Sequence, residues 1–223
     1  MKRNSLIGLG SAVAVLLACS FANAELIPLA ISGVTGDAYH VGDGADPGDG
    51  SWSRVLDGTG LTVGDVSDPS TWTHNARWQD NWQGQGSYTG GNTPGAWFTA
   101  DLGSIYTDLA KLYVWNVREV LDRGMKDVDI FYSDTTFPPT SWSLLGSYTI
   151  PQATGDGTPA DAIIDLSSIP SARYIGLDIH SNYGSTFRVG VAEMQFTVVP
   201  EPASALLGGL ALAAIGFVVR RRA

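Results

Sequence analysis

The sequence predicts an all-β protein, a sandwich of the jelly-roll kind, on three observations. From Ala96 onward, short segments of β-type pattern alternate with turn residues. Between Glu25 and Val199 no long amphipathic helix can be drawn and no internal repeat is present. The only cysteine, Cys19, lies ahead of that region, so about 175 residues must cohere without disulfides around one core.

The elements follow in order. Met1, Lys2 and Arg3 precede an apolar run over 6–18 and then Ala22-Asn23-Ala24, the small-x-small form that signal peptidase cuts. Residues 1–24 therefore read as an export signal, with signal peptidase as a partner. Leu16-Leu17-Ala18-Cys19 loosely resembles a lipobox, an alternative cut that would leave a lipidated Cys19. The stretch 31–95 is rich in Gly, Asp, Ser, Thr and Trp, which predicts loops and short strands. A strand over 97–102 ends at Gly103, and 109–117 is apolar nearly throughout, as in a strand covered on both faces. In 126–132, Val128, Ile130 and Tyr132 alternate with Asp127, Asp129 and Phe131, giving one buried and one mostly wet face. Segments 141–150, 162–166, 173–180 and 188–198 continue the series. Pro138-Pro139, Gly155-Asp156-Gly157 and Ser181-Asn182-Tyr183-Gly184 punctuate it.

At the C-terminus, 203–219 is small and apolar with Ser204 its only polar residue, and Arg220, Arg221 and Arg222 close it. Seventeen helical residues reach about 25 Å, near the lower limit for crossing a hydrocarbon core, and read as a transmembrane helix whose basic end stays inside and whose preceding domain lies outside. All 22 acidic residues fall between Glu25 and Glu201, against eight basic ones there, a formal charge of −14 that excludes nucleic acid and anionic lipid surfaces as partners.

Directly before the apolar stretch stands Val199-Pro200-Glu201-Pro202. Pro200, Glu201 and Pro202, an apolar helix and a basic end together resemble the PEP-CTERM sorting signal of Gram-negative bacteria. The resemblance implies recognition by an exosortase, an inner-membrane-anchored intermediate, and then a place at the cell surface or in the exopolysaccharide matrix. An ordinary membrane anchor is the plainer alternative. Three regions follow: 1–24 signal peptide, 25–198 β-sandwich, and 199–223 sorting signal.

Within the domain, Val55-Leu56-Asp57-Gly58, the run from Trp97 to Gly103, Leu112-Tyr113-Val114-Trp115-Asn116, the run from Arg123 to Ile130, Ala172-Arg173-Tyr174-Ile175, and Val191-Ala192-Glu193-Met194-Gln195-Phe196 occur in order. Together they resemble the discoidin, or coagulation-factor C-type, domain of the galactose-binding-like jelly rolls. The chain departs from that pattern between Gly60 and Gly95, where loops are longer and rich in Trp, and it lacks a terminal cysteine pair. The resemblance implies a structural calcium ion held by carbonyl oxygens and carboxylates. The matching positions are Arg54, Asp57, Thr59 and Thr62, with Ala192 and Glu193 from the last strand. Calcium takes six to eight hard oxygens, and Glu193 lies in an otherwise apolar strand where an uncompensated charge is costly. The alternative is that Asp57 only caps a turn and Glu193 faces solvent. Asp43, Asp46 and Asp49 read as a solvated acidic loop, because Ala45 and Pro47 occupy alternate positions that an EF-hand would need as ligands.

Residues 72–82 gather Trp72, His74, Arg77, Trp78 and Trp82 with neighbouring amides. Flat aromatic faces suit the C–H surfaces of sugars, and directional donors and acceptors suit their hydroxyls. With Asn182 and Tyr183 these residues form the candidate glycan site. The competing reading makes Trp78 and Trp82 plugs of the sandwich end, while Trp97 and Trp115 are core. His40, His74 and His180 form no metal pair, and no Gly-x-Ser-x-Gly elbow, P-loop or dinucleotide fingerprint occurs. Arg118, Arg123 and Arg173 are expected to make internal ion pairs or backbone contacts. The functional expectation is a non-catalytic, exported carbohydrate-binding module. Behind it stand a structural matrix protein that binds other proteins and, last, an uncharacterised hydrolase.

Overall fold

The computed structural model describes residues 25–26, 35–36, 52–85, 92–136 and 139–199. The stretch read as a signal peptide with Cys19, the segment of Asp43, Asp46 and Asp49, Pro200, Glu201, Pro202 and the expected helix over 203–219 lie outside them. Among the described residues no helix is long and apolar enough to cross a membrane.

Twelve strands are defined there: β1 Glu25–Leu26, β2 Thr35–Gly36, β3 Leu61–Thr62, β4 Thr73–His74, β5 Trp82–Gln85, β6 Asn92–Tyr106, β7 Leu109–Asn116, β8 Asp127–Ser133, β9 Ser143–Thr149, β10 Ala162–Asp165, β11 Ala172–Ser181 and β12 Arg188–Val198. One five-stranded sheet runs β1-β12-β7-β10, with β5 also on β12, and a second runs β2-β6-β11-β8-β9. β3 and β4 form a separate ladder, and every pairing is antiparallel. The sandwich expected from the sequence is therefore the architecture found, and the described part of 52–85 holds only short elements and turns. β6 is longer than the predicted 97–102 strand. It bends at a bulge where Gly103 takes a φ of 82°, a left-handed value that a Cβ disfavours.

Period-two alternation builds the core between the sheets. Ala96, Phe98, Ala100 and Leu102 of β6, Val128 and Ile130 of β8, and Ile175, Leu177 and Ile179 of β11 face Leu112 and Val114 of β7 across the interior. In β12 the inward row is Val189 and Val191, then Met194, Phe196 and Val198, so its phase changes once. The change coincides with a register shift between Val191 and Glu193, which turns both Ala192 and Glu193 away from the main core. β7 is covered on its other face as well: Tyr113 and Trp115 stack at 6.4 Å and pack with Trp72 and Ala192 in a second cluster. On the outer face of the second sheet Trp97 lies against Phe131 and Trp142, with ring centroids 5.4 and 5.2 Å away. Gly176 permits this, since a Cβ there would lie 2.4 Å from Trp97 Cζ2.

A buried ion pair ties the loops after β7 and before β10 to this frame. Arg118 Nη2 reaches Asp161 Oδ2 at 3.1 Å and donates to the Pro159 carbonyl at 2.7 Å, while Nη1 donates to Thr158 Oγ1 at 2.7 Å. Asp161 Oδ2 also accepts the Asn116 backbone N–H at 2.7 Å. Burial pushes the Asp161 carboxyl up and the Arg118 guanidinium down, so desolvation opposes both charges and the hydrogen bonds offset it. Arg173 grips Asp101 with two bonds of 2.8 and 2.9 Å. Both arginines thus make the internal contacts expected of them. Removing one partner of the buried pair strands the other charge, so Asp161→Ala should cost about 3–5 kcal/mol in urea unfolding.

Candidate functional site

The segment 65–85 is shaped by short-range hydrogen bonds before any tertiary contact forms. Asp68 caps a 3-10 turn at Pro69–Thr71 by accepting the Ser70 N–H, and Trp72 Nε1 then donates to the Asp65 carbonyl at 2.7 Å. A second 3-10 turn, Trp78–Asp80, closes with Asp80 Oδ2 accepting from Asn75 Nδ2 at 2.8 Å. That turn buries Asp80 and Asn81 and leaves Trp78 43% exposed. The chain then enters β5, whose pairing with β12 sets Gln83 opposite Gly190 and drives the Trp82 ring into the core against Phe98, 5.7 Å away.

Beside Trp78 opens a cleft of about 320 Å³, lined by Trp78, Gln83, Glu119, Val120, Arg123 and Arg188. Its floor is a connected set of polar side chains. Gln83 Nε2 donates to Glu119 Oε1 and, at 2.8 Å, to Asn81 Oδ1. Asn81 Nδ2 donates to Glu119 Oε2 at 2.9 Å and to the Arg77 carbonyl at 3.1 Å. Arg123 Nη1 donates to Gln83 Oε1 at 2.7 Å. Both oxygens of Glu119 and the whole Gln83 amide are thereby fixed in orientation, and such a set meets a ligand without further ordering cost. Glu119, Val120 and Arg123 come from the turn that follows β7, and Arg188 opens β12 with its guanidinium 5.0 Å from the Phe187 ring.

Of the seven residues the sequence assigned to a glycan site, Trp78 alone lines this cleft. Trp72 lies in the second cluster and Trp82 in the main core, because strand pairing and Tyr113–Trp115 cover give each an apolar neighbourhood. These two, with His74 and Asn182, are corrected to interior roles. His74 is buried with Nδ1 and Nε2 facing the Asn75 and Thr59 carbonyls at 2.7 and 3.1 Å, and burial lowers its pKa. Asn182 folds its own loop, donating to the Ser185 and Arg188 carbonyls at 2.9 and 3.0 Å. Tyr183 is partly exposed and donates to the Ile150 carbonyl at 2.6 Å, and Arg77 is exposed beside Asp80 at 3.9 Å. Gln83, Glu119, Val120, Arg123 and Arg188 were not anticipated. The one local signal was Glu119 with Arg123 four residues on, directly after an apolar strand.

Of the candidate calcium residues, Asp57 and Glu193 come together at the turn around Gly58. Glu193 is fully buried, with Oε2 accepting the Gly58 N–H at 3.0 Å and Oε1 accepting from Gln195 Nε2 at 2.6 Å. Burial, with Asp57 nearby, lifts its carboxyl well above the usual range. Glu193 therefore does not face solvent. Asp57 does cap its turn, taking the Thr59 N–H on Oδ1 at 2.8 Å. Arg54 Nη1 donates to Thr59 Oγ1 at 3.2 Å, Thr62 is exposed on β3, and Ala192 is buried in the second cluster. Among the described residues no three His, Cys, Asp or Glu side chains converge, so a cation here would be held largely by neutral oxygens. A buried carboxylate with a second carboxylate beside it fits that chemistry.

Comparison with known proteins gives two kinds of match. The model of the PEP-CTERM protein-sorting motif matches residues 198–222. No curated protein matches the chain. Among solved structures, a SusE-like protein is similar at 16% identity over 79% of this chain and 68% of its own, with a TM-score of 0.52. An F5/8 type C domain from Bacteroides fragilis is 15% identical over 79% of this chain and 97% of its own, at 0.48. The family 32 carbohydrate-binding module of C. perfringens NanJ, in complex with galactose, is 11% identical over 78% and 98%, at 0.46. These are likenesses of fold.

The two neighbouring tryptophans should separate by stability. Trp82→Ala should lower the unfolding free energy by about 3–5 kcal/mol, whereas Trp78→Ala should change it by no more than about 0.5 kcal/mol, both read from urea denaturation.

Proposed function

We propose that the domain is a non-catalytic carbohydrate-binding module carried by an exported, surface-associated protein. The observation that carries this reading is the cleft: an exposed indole beside donors and acceptors already held in place by Gln83, Glu119 and Arg123. An indole face accepts the C–H side of a pyranose ring, and fixed polar groups take its hydroxyls. Among the described residues that line it Glu119 is the only carboxylate, and both its oxygens are engaged by amides. Glycoside hydrolysis ordinarily needs two carboxylates about 5–10 Å apart, so a binding role suits the cleft better than a hydrolytic one.

The sorting motif supports exosortase processing at the tail and delivery to the cell surface or an exopolysaccharide matrix, and Ala22-Asn23-Ala24 after the apolar run supports signal peptidase at the other end. A structural calcium ion belongs to the same reading. Glu193 and Asp57 would supply its charge, and Thr59, Thr62, Arg54 and Ala192 would supply neutral oxygens. The ion would lock the turn at Gly58 onto β12 and offset the cost of burying Glu193.

Affinity electrophoresis of the full chain through gels containing different polysaccharides tests the function. At least one polysaccharide should retard the protein, and Trp78→Ala should abolish the retardation with its thermal midpoint unchanged. Undiminished retardation of Trp78→Ala would remove the cleft from the account. Calcium at a hundredfold excess over its dissociation constant should add about 2.7 kcal/mol, or about 5–10 °C in midpoint. EDTA should reverse the gain and Glu193→Gln should lose it. An equal midpoint in calcium and EDTA would eliminate the ion.

A further inference from the structure

We infer that the domain holds a second sugar site, at the end of the sandwich opposite the Trp78 cleft, which takes one neutral, hydroxyl-rich unit. This rests on the carbohydrate reading and places a further site in a different cavity.

That cavity, of about 200 Å³, opens where β8 ends and β9 begins, beside the loop that leads into β11. The ladders fix its place. Tyr132 pairs with Ser143 and Ser133 with Tyr174, while Ser171 directly precedes β11. The Trp78 cleft belongs to the other end of β11, where the Asp122 carbonyl accepts the Tyr183 N–H at 3.1 Å and brings Arg123 alongside. The ten residues of β11 lie between, roughly 30 Å.

Ser133, Ser141, Ser143 and Ser171 line the cavity with Asp134. Tyr132 and Pro170 add an apolar wall that suits the C–H side of a ring. Each serine hydroxyl both donates and accepts, which is the bonding pattern of a sugar's own hydroxyls. Part of this set is already oriented. Ser171 Oγ donates to Asp134 Oδ2, and Ser133 Oγ lies 2.8 Å from Thr135 Oγ1, which accepts the Thr140 N–H at 3.3 Å. Ser141 and Ser143 are exposed, within reach of a ligand. The described residues that line the cavity include no arginine or lysine. An acidic sugar therefore meets repulsion from Asp134, whereas a neutral one offers that carboxylate hydroxyls to accept. A lone carboxylate among neutral hydroxyls also suits a polyol better than a divalent cation, which takes six or more oxygens. The cavity is smaller than the roughly 300 Å³ at which drug-sized clefts begin, so it holds one sugar unit, weakly. Alone it does not retard the chain in a gel; with the Trp78 cleft on the same polymer it adds by avidity.

Backbone amide NMR of the full chain in detergent micelles, titrated with galactose, glucose, mannose and their 2-acetamido counterparts, tests the second site. At least one sugar should shift two separate sets of amides, one around Trp78, Gln83 and Arg123 and one around Ser133, Ser143 and Ser171. Trp78→Ala should erase the first set and keep the second. Ser143→Trp, which fills the cavity from an exposed position, should erase the second and keep the first. The two sets in the unaltered protein give the same reading should that variant fail to fold. The uronate of whichever sugar is held should bind the second site about fivefold more weakly, or worse. Equal binding of the uronate overturns the neutral class. Shifts confined to the Trp78 set overturn the second site and leave the carbohydrate reading standing. Shifts in the second set alone support it and remove the Trp78 cleft. No shift with any of the sugars overturns both.

Discussion

The outer face of the first sheet is apolar, and covering it is the constraint on which most of the remaining structure depends. Tyr113 and Trp115 project from β7 away from the main core, and both are buried. Burying a tryptophan removes about 150–250 Å² from water, roughly 4–6 kcal/mol at the usual coefficient. That return justifies folding long, Gly-rich loops back over the sheet. Trp72 and Leu61 bring one of them, and Ala160, tied down through Arg118 and Asp161, brings the other. Once 61–74 is laid across β7, the turn at Trp78–Asp80 has one direction in which to leave, toward the end of β12 where β5 pairs. The cleft is a by-product of covering a hydrophobic face.

The same cover explains the two glutamates. Glu193 sits opposite Trp115 in the ladder, beneath the loops, and the bulge before it directs its side chain to that covered face. Glu119 leaves the end of β7, where cover gives way to open surface, and amides rather than bulk surround it. One carboxylate is deeply desolvated and the other sits at a cleft, although only their positions relative to one sheet differ.

Much of the fold was legible because a period of two fixes which side of a strand is buried. Val128 and Ile130 could occupy only an inner row once Asp127 and Asp129 were placed outside, and the apolar run through Leu112 and Val114 announced a strand covered on both faces. The charge of Glu193 inside an apolar strand likewise announced a special environment. Trp78 and Trp82 were not separable, because their fates depend on a partner strand more than 100 residues away: Val191 opposite Trp82 pulls one inward, and among the described residues no strand pairs with the other. Gln83, Glu119, Arg123 and Arg188 were invisible as a group for a related reason. They come from three segments with no local pattern in common, and only the β5–β12 and β12–β7 ladders bring them together.

β12 also has a mechanical character. Arg188 of the cleft stands at its first residue, and Val198, its last, is the first residue of the sorting motif. The strand between them is eleven residues long with both ends counted, about 35 Å. A polymer gripped at one end and a tether at the other would therefore pull along the strand axis. Tension in that direction loads the hydrogen bonds to β7, β5 and β1 in parallel, as shear, instead of opening them one by one. A domain held between two such attachments, like a pin in a hinge, would yield only when many bonds failed together.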